Sequence, residues 1–216
     1  MIDFIQKTID FILHIDKHLV DIINHYGNVT YVILFLVVFC ETGLVITPFL
    51  PGDSLFFAAG ALCAKSDLNI YLTLLVCFLG AILGNTVNYS IGKRIGPTIF
   101  NSKSKLIKKE YLDKTHAFYE KHGAKAIILS RFLPIFRTFV PFIAGVAKMD
   151  ARQHLIYNVI GAALWVSIFV LLGYFFGMTE VVQNNFSAFI ILIIVVTLLP
   201  GLLAFIKNQF FKKKVS

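Results

Sequence analysis

The stretch that decides the fold is "ETGLVITPFLPGDSLFFAAG", which runs from Glu41 to Gly60. The apolar segments on either side of its centre are each about half as long as the roughly 20 residues that a membrane crossing needs. Pro51 and Gly52 interrupt them, because proline cannot continue a helix and glycine takes turn conformations without penalty. Two short limbs around a broken centre predict a re-entrant helical hairpin over residues 30–64, since irregular backbone at membrane depth must be enclosed by protein.

A second hairpin is predicted from the same layout further along the chain. The block "SRFLPIFR", from Ser130 to Arg137, lies between two short apolar limbs, and these limbs predict a hairpin over residues 124–147. Pro134 and Pro141 are expected to break this second hairpin. In both hairpins a broken tip can turn backbone N–H groups towards an anion.

The composition places the rest of the chain in a membrane. Of the 216 residues, 57% are hydrophobic and only 15% are charged, whereas about a quarter of the residues in a soluble domain are charged. Three segments are long enough to cross a bilayer: Ile70–Ile91, Leu155–Gly177 and Ser187–Ile206. Residues 2–23 carry apolar side chains on one helical face and charges on the rest, which predicts a helix that lies in the membrane interface.

The distribution of charge predicts the orientation of these segments. The formal net charge is +8, and the basic residues lie beside apolar spans, which indicates contact with anionic lipid and argues against nucleic acid. Residues 93–125 hold nine Lys or Arg and three acids, while the tail after Ile206 holds four Lys and no acid. The positive-inside rule places both segments in the cytoplasm. The first hairpin then enters the membrane from outside and the second from inside.

An internal repeat supports this arrangement. The segments "GAILGNTVNYSIGKRIG" from Gly80 and "GAALWVSIFVLLGYFFG" from Gly161 share five residues at one constant offset. Each repeat is then a hairpin followed by a spanning helix, and the two are inserted with opposite topology, as in many transporters. The predicted fold class is an all-α membrane protein with two oppositely oriented re-entrant helical hairpins, about three transmembrane helices, an N-terminal interfacial amphipathic helix and an inverted repeat.

The predicted organisation has three parts. These are an amphipathic interfacial helix over residues 1–28, a transport domain over residues 29–180, and a C-terminal transmembrane helix with a basic tail over residues 187–216. Within the transport domain the order is a hairpin over 30–64, a crossing over 70–91, a basic cytoplasmic segment over 93–123, a hairpin over 124–147 and a crossing over 155–177.

Four ionisable residues lie in the hairpins, with Glu41 and Asp53 in the first and Arg131 and Arg137 in the second. Such groups are costly inside a membrane and usually functional. One interpretation is mutual neutralisation of two acids and two arginines. The other is a site, because arginine has a fork that matches phosphate oxygens and a carboxylate at low dielectric can take up and release a proton. The two combine if the carboxylates hold the arginines while no phosphate is bound.

Other polar residues are assigned to structure rather than to function. Interhelical packing and hydrogen bonding are expected for Asn85, Asn88, Tyr89, Asn158 and Trp165. The histidines of the basic stretch, among them His154, are expected to be solvated. His14 and His18 have no third ligand nearby, and no nucleophile, zinc or phosphate-loop motif occurs. The sequence therefore predicts no metal, no cofactor and no enzymatic activity.

Four motifs together resemble one known family. They are "FLPGD" at the first hairpin, "GxxxGNxxxYxIGxxxG", "SRFLPxxRxxxPFxAGxxxM" and "NxxGAxxW", and they resemble the DedA family, also called the VTT or SNARE-associated family. The match covers roughly residues 30–180. The resemblance implies two opposed re-entrant hairpins. Many members have Asp at the position that Asn85 occupies in this chain, and this difference argues against a proton-carrying role for the position. The family's essential acids and arginines correspond to Glu41, Asp53, Arg131 and Arg137.

The resemblance also implies a function. Bacterial members are associated with recycling of undecaprenyl phosphate, and others with phosphatidylethanolamine movement or proton-dependent drug and pH tolerance. We therefore expect a lipid-phosphate translocase of the bacterial cytoplasmic membrane, with a cytoplasmic C-terminus. The implied partners are the lipid phosphate, the bilayer and protons, and a homo-oligomer is left open. The alternatives are a phospholipid scramblase, a proton-dependent small-solute antiporter and a scaffold, and only a scaffold should survive loss of all four charges.

Overall fold

The computed structural model describes residues 27–44, 52–101 and 125–180, together with isolated residues and short stretches between 182 and 195. Secondary structure within these residues is entirely helical, as the sequence predicts. The predicted interfacial helix and most of the crossing Ser187–Ile206 lie outside the described residues. In chain order the helices are α1 (Val29–Gly43), α2 (Gly52–Cys63), α3 (Ile70–Asn101), α4 (Lys125–Ser130), α5 (Pro134–Val146) and α6 (Ala151–Phe176).

Two of these helices are long and apolar enough to cross a membrane, namely Ile70–Gly96 within α3 and Ala151–Phe176, which is α6. At about 1.5 Å per residue each is roughly 40 Å long, against a hydrocarbon core of about 30 Å. Most of their large exposed side chains are apolar, and their buried faces carry polar side chains such as asparagine. An apolar outer stripe runs along α6 at Leu155, Ile160, Leu164, Ile168 and Leu172. A polar interior with an apolar exterior suits a helix that is surrounded by lipid.

The helices on either side of each predicted hairpin tip are shorter than a crossing. α1 has 15 residues and α2 has 12, whereas a crossing needs about 20. α2 begins at Gly52, and Pro51 before it lies outside the described residues. In the second hairpin α4 ends at Ser130 and α5 begins at Pro134, where the fixed φ of proline suits a first helical turn. A helix therefore begins beside a proline in both regions.

Pro141 does not break the second hairpin, contrary to the expectation from the sequence. α5 continues through it to Val146. Proline has no backbone N–H, so the carbonyl oxygen of Arg137, four residues earlier, receives no helical hydrogen bond from it. Beside it, Asn88 Nδ2 donates to the carbonyl oxygen of Thr138 at 2.9 Å. A side chain of a neighbouring helix thus supplies a donor next to the proline, which is one way helices in membranes tolerate it.

The chain divides into two compact units. The first unit comprises Met1–Phe35, Pro51–Cys77 and Val166–Ser216, and the second comprises Leu36–Leu50 and Phe78–Trp165. In the first unit the apolar core includes Tyr31, Cys63 and Leu68. The hydroxyl oxygen of Tyr31 accepts a hydrogen bond from the backbone N–H of Asn69 at 2.7 Å. These contacts bring the start of α1 close to the end of α2.

Glycines set the distance between α2 and α6 in the first unit. A Cβ added at Gly60 would lie 2.0 Å from the carbonyl oxygen of Val170, and one added at Gly173 would lie 2.0 Å from that of Phe57. Four residues further on, just after the end of α6, a Cβ at Gly177 would lie 2.3 Å from the Cβ of Ala61. Only hydrogen fits at these points, so the two backbones are in direct contact.

The second unit uses the same contact between α5 and α3. A Cβ added at Gly145 would lie 2.0 Å from the carbonyl oxygen of Tyr89, and one added at Gly92 would lie 2.0 Å from that of Phe142. A Cβ at Gly96 would lie 3.2 Å from the Cα of Val146. Gly92 and Gly96 correspond to Gly173 and Gly177 at the offset of the sequence repeat. We call this arrangement of three glycines on a short and a long helix the glycine contact.

Candidate functional site

Three charged side chains are buried together in the second unit. Glu41 is 0% exposed, Arg131 1% and Arg137 2%. They come from three places in the chain: the last turn of α1, the break between α4 and α5, and the first turn of α5. Charged groups tolerate such burial only when other charges, dipoles or hydrogen bonds replace water. What surrounds them therefore decides what the cluster can do.

Arg137 is held by a carboxylate. Its Nη2 lies 2.6 Å from Oε1 of Glu41, which is the distance of a charge-assisted hydrogen bond. Both side chains are at most 2% exposed, so the pair is shielded from water and from salt. The ion pair joins α1 to α5 within the second unit.

Arg131 is held differently. Its Nη2 donates to the side-chain oxygen of Asn158 and to the carbonyl oxygen of Ala81, the latter at 3.3 Å. Its Nε and Nη1 are buried and have no hydrogen-bond partner among the described residues. No carboxylate among those residues forms an ion pair with it. A buried guanidinium held by neutral oxygens keeps its charge uncompensated at short range and retains donors for another acceptor.

Asn158 is the hub that fixes Arg131. Its amide nitrogen donates to the carbonyl oxygen of Ile82 at 3.1 Å and to Oγ1 of Thr86 at 3.3 Å. Its oxygen accepts from Asn85 Nδ2 at 3.3 Å as well as from Arg131. Four partners determine the orientation of the amide, so its oxygen is fixed towards the guanidinium. The sequence assigned Asn85 and Asn158 to interhelical hydrogen bonding, and here that bonding also orients a site residue.

Asn88 connects the two helices that carry the ion pair. Its Nδ2 donates to the carbonyl oxygens of Thr42 at 3.2 Å and of Thr138 at 2.9 Å. Thr42 directly follows Glu41 and Thr138 directly follows Arg137. One amide on α3 therefore ties together the backbones beside both members of the pair. The side chain of Asn88 is 0% exposed.

Trp165 contacts both arginines. Its ring centroid lies 5.0 Å from Cζ of Arg137 and 5.6 Å from Cζ of Arg131. Both distances are within the roughly 6 Å over which a cation is attracted to an aromatic face. Trp165 is 0% exposed. The sequence assigned this residue to packing, and only its spacing of seven residues from Asn158, which places both on one helical face, could have indicated otherwise.

The fourth predicted charge, Asp53, belongs to the first unit. It lies in the first turn of α2 and is 6% exposed, next to Ser54 at 0%. A carboxylate in a first helical turn interacts favourably with the helix dipole. The second unit thus brings together three of the four predicted site residues, whereas Asp53 lies in the first unit.

His154 is not solvated, contrary to the sequence-based expectation. It is 1% exposed and stacks on Tyr89, with ring centroids 4.3 Å apart. The hydroxyl of Tyr89 donates to the carbonyl oxygen of Met149, in the turn before α6. The glycine contact explains the burial of His154. Gly145 allows the end of α5 to pack against α3 at Tyr89, which is the residue on which His154 stacks. A basic neighbourhood in the sequence therefore did not predict the surroundings of this histidine.

The cluster suits an anion better than a metal. Among the described residues, no group of three or more His, Cys, Asp or Glu side chains is placed to hold a metal ion. The three buried charges of the second unit, Glu41, Arg131 and Arg137, leave one positive charge over. Guanidinium donors at low dielectric form strong hydrogen bonds with phosphate or carboxylate oxygens.

Comparison with known proteins places the chain in a family. Residues 50–175 match the model of the VTT domain. The protein DedA of Escherichia coli K12 is 53% identical over 210 residues, which cover 96% of each chain. An uncharacterized membrane protein of Mycobacterium tuberculosis H37Rv is 42% identical over 182 residues, 83% of this chain and 80% of the relative. The inner membrane protein YqjA of Escherichia coli K12 is 35% identical over 177 residues, 80% of each chain.

No solved structure matches the chain significantly. The match to the VTT domain covers more than half of the 216 residues and includes α2 to α5 and most of α6. The similarity to DedA extends over nearly the whole length. The chain is therefore a membrane protein that belongs to the DedA family of VTT-domain proteins.

Proposed function

We propose that this protein is a lipid translocase that moves a lipid phosphate, foremost undecaprenyl phosphate, across the bacterial cytoplasmic membrane. The observation that supports the proposal most is the state of Arg131. This guanidinium is 1% exposed, and its Nε and Nη1 have no hydrogen-bond partner among the described residues. Leaving buried donors unsatisfied costs free energy, so a ligand that supplies oxygens there is favoured.

The charge of the cluster favours an anionic headgroup. Two guanidiniums face one carboxylate, Glu41, within the second unit. A terminal phosphate offers several oxygens with delocalised negative charge, and the planar fork of arginine matches them. In the absence of lipid Glu41 satisfies Arg137 at 2.6 Å. A phosphate that binds both arginines competes with this carboxylate for Arg137, which provides a route for coupling headgroup binding to proton uptake by Glu41.

The surroundings suit a lipid tail. The outer faces of α3 and α6 carry exposed leucines, isoleucines and valines, whereas Glu41, Arg131 and Arg137 are buried within the second unit. A headgroup can therefore be held by the arginines while its tail stays in hydrocarbon. The polar groups are then needed only along the path of the phosphate.

The orientation follows from the charge distribution and the repeat. We place the basic segment 93–123 and the C-terminus in the cytoplasm, by the positive-inside rule. The glycine contact occurs in both units, between a short helix and a long one. This supports a duplicated plan of a re-entrant hairpin followed by a spanning helix, which we propose is inserted in opposite orientations. The function needs no catalysis, because moving a headgroup breaks no bond.

Lipid binding and transport by purified protein test the proposal. Arg131→Ala should lower the affinity for dodecyl phosphate, a soluble probe, by about tenfold to a hundredfold, because charge-assisted hydrogen bonds contribute about 1.5–3 kcal/mol. Arg131→Lys should recover only part of it, since an ammonium cannot form the forked contact. The exposed Arg152→Ala is the matched control and should bind as the wild type does.

The same measurements separate the alternatives. Proteoliposomes that contain undecaprenyl phosphate, phosphatidylethanolamine or neither compare the translocase with a phospholipid scramblase. Retention of a headgroup by native mass spectrometry identifies the lipid directly. If Arg131→Ala and Arg137→Ala bind dodecyl phosphate with wild-type affinity, the phosphate site is refuted. Solute-driven proton movement without lipid movement would support the antiporter instead.

A further inference from the structure

We infer that Trp165 positions both arginines, and that its indole ring takes the place of a second carboxylate in the second unit. The ring attracts the two guanidiniums without neutralising them, so Arg131 keeps its charge for an anionic headgroup. The part of this inference that concerns the headgroup rests on the proposed function. The contact between the ring and the arginines does not, and it can be tested without any ligand.

The contact geometry supports a shared platform. Two like charges that are buried close together repel each other, and here they lie 5.0 and 5.6 Å from the centroid of one ring. Indole gives the strongest cation–π interaction of the aromatic side chains, and the interaction grows when water is excluded. Trp165 is the largest of the fully buried side chains. The described part of the chain thus places its best cation-attracting ring within about 6 Å of both Arg131 and Arg137.

The sequence of α6 leads Arg131 to this ring. Asn158, Gly161 and Trp165 follow each other at intervals of three and four residues, so they lie on one face. A Cβ at Gly161 would lie 3.0 Å from Cδ and 3.2 Å from Nε of Arg131. The side chain of Arg131 therefore lies against α6 at the glycine, between the amide that accepts from Nη2 and the indole.

A ring serves a binding site better than a carboxylate would. A carboxylate accepts hydrogen bonds from the guanidinium, so an incoming phosphate has to displace it. Attraction to an aromatic face uses the charge and not the N–H donors. This agrees with the two donors of Arg131, Nε and Nη1, that have no hydrogen-bond partner among the described residues. Trp165 can hold the arginine in place and still leave those donors for the ligand.

The experiment uses the fact that the chain contains a single tryptophan. Growth of a tryptophan auxotroph on mono-, di- and trifluorinated tryptophan changes only residue 165 and weakens the π face with little change in size. The melting temperature of the ligand-free protein should fall with each added fluorine. The fall should be smaller in Arg131→Met, which keeps the length of the side chain without its charge, because only the contact with Arg137 then remains. Trp165→Phe, grown on the same analogues, contains no tryptophan and controls for effects of growth.

Substitution gives the second ligand-free readout. Trp165→Phe keeps a π face and should retain part of the stability that Trp165→Leu loses, and this difference should shrink when Arg131 is replaced by Met. A melting temperature that is indifferent to fluorination, or that falls equally in Arg131→Met, overturns the inference. In that case Trp165 contributes only packing.

Titration with dodecyl phosphate distinguishes the two proposals. Binding is read by isothermal calorimetry, and trifluorination should weaken it by about threefold to tenfold, on the scale of one buried cation–π contact. Wild-type protein that binds no phosphate, yet loses stability on fluorination, refutes the proposed function and leaves the positioning role intact. Wild-type protein that binds phosphate regardless of fluorination refutes the positioning role alone.

Discussion

Replacing Glu41 with glutamine is the sharpest test of how the cluster is balanced. Glu41 and Arg137 form an ion pair at 2.6 Å, and both side chains are almost fully buried. Glutamine has nearly the same shape as glutamate and can still accept one hydrogen bond, so packing should be preserved. The change removes the carboxylate that pairs with Arg137 in the second unit. The repulsion between the two buried guanidiniums is then no longer offset by the charge of Glu41.

The expected loss follows from this geometry. Breaking a buried ion pair by removing one partner costs about 3–5 kcal/mol, because an uncompensated charge remains. For a chain of this length each kcal/mol shifts the melting temperature by about 2–4 °C, so Glu41→Gln should lower it by roughly 6–20 °C. Removing both charges, in Glu41→Gln with Arg137→Met, should recover most of that loss. The neutral pair no longer has to be desolvated.

The assay is thermal unfolding in detergent, followed by size-exclusion chromatography of the protein that remains monodisperse. Glu180→Gln makes the same chemical change at an exposed position and should leave the melting temperature unchanged. A double variant that is less stable than Glu41→Gln itself would refute the reasoning, because it would mean that Arg137 contributes more than its charge. The double variant should also bind dodecyl phosphate more weakly than the wild type, because Arg137 no longer donates, and this separates stability from function.

Three further predictions concern packing, charge and topology. Gly92→Ala and Gly173→Ala should each destabilise the protein by at least about 1–3 kcal/mol, because the new Cβ meets a backbone carbonyl oxygen; unchanged melting temperatures would contradict the glycine contact. Asn158→Asp should weaken dodecyl phosphate binding, since its carboxylate neutralises Arg131, and should cost some stability, since it cannot donate to the carbonyl oxygen of Ile82 as the amide does; tighter binding would exclude an anion site. In a variant without native cysteines, Asn69→Cys should react with an impermeant thiol reagent in intact cells, whereas Ser104→Cys should react only after lysis. If both cysteines are labelled from the same side of the membrane, α3 does not cross it.

Local features of the sequence predicted the helical framework. The lengths of the apolar segments distinguished long helices from short limbs, and α3 and α6 are indeed long and apolar. The length and the apolar character of a helix depend only on residues that are neighbours in the chain, so they can be predicted from a single sequence. Four charged residues were predicted to form a site because a charge among apolar residues is costly. The structure buries all four of them: Glu41, Asp53, Arg131 and Arg137.

The sequence could not reveal which neutral residues serve those charges. From the sequence, Asn158 and Trp165 were assigned to interhelical packing and hydrogen bonding. Nothing in their own segment shows that Arg131 contacts α6 at Gly161. His154 was misplaced for a related reason, since its burial results from contact between α5 and α3. Pro141 was given the effect that proline has in isolation, whereas Asn88 supplies a donor beside it. Each of these depends on contacts between segments distant in the chain.

The glycine contact explains why a polar cluster can be maintained in a membrane helix bundle. Hydrophobic burial gives little driving force between helices that are surrounded by hydrocarbon, so packing and hydrogen bonds must hold them together. In the second unit Gly145 and Gly92 bring α5 against α3 with backbone contact, and Asn88 reaches across to Thr42 and Thr138. This rigid support fixes the first turn of α5, where Arg137 lies. Under the proposed function, we expect that the binding energy of a headgroup is not spent on ordering the arginine, and that the exchange between Glu41 and phosphate is a local event within a fixed scaffold.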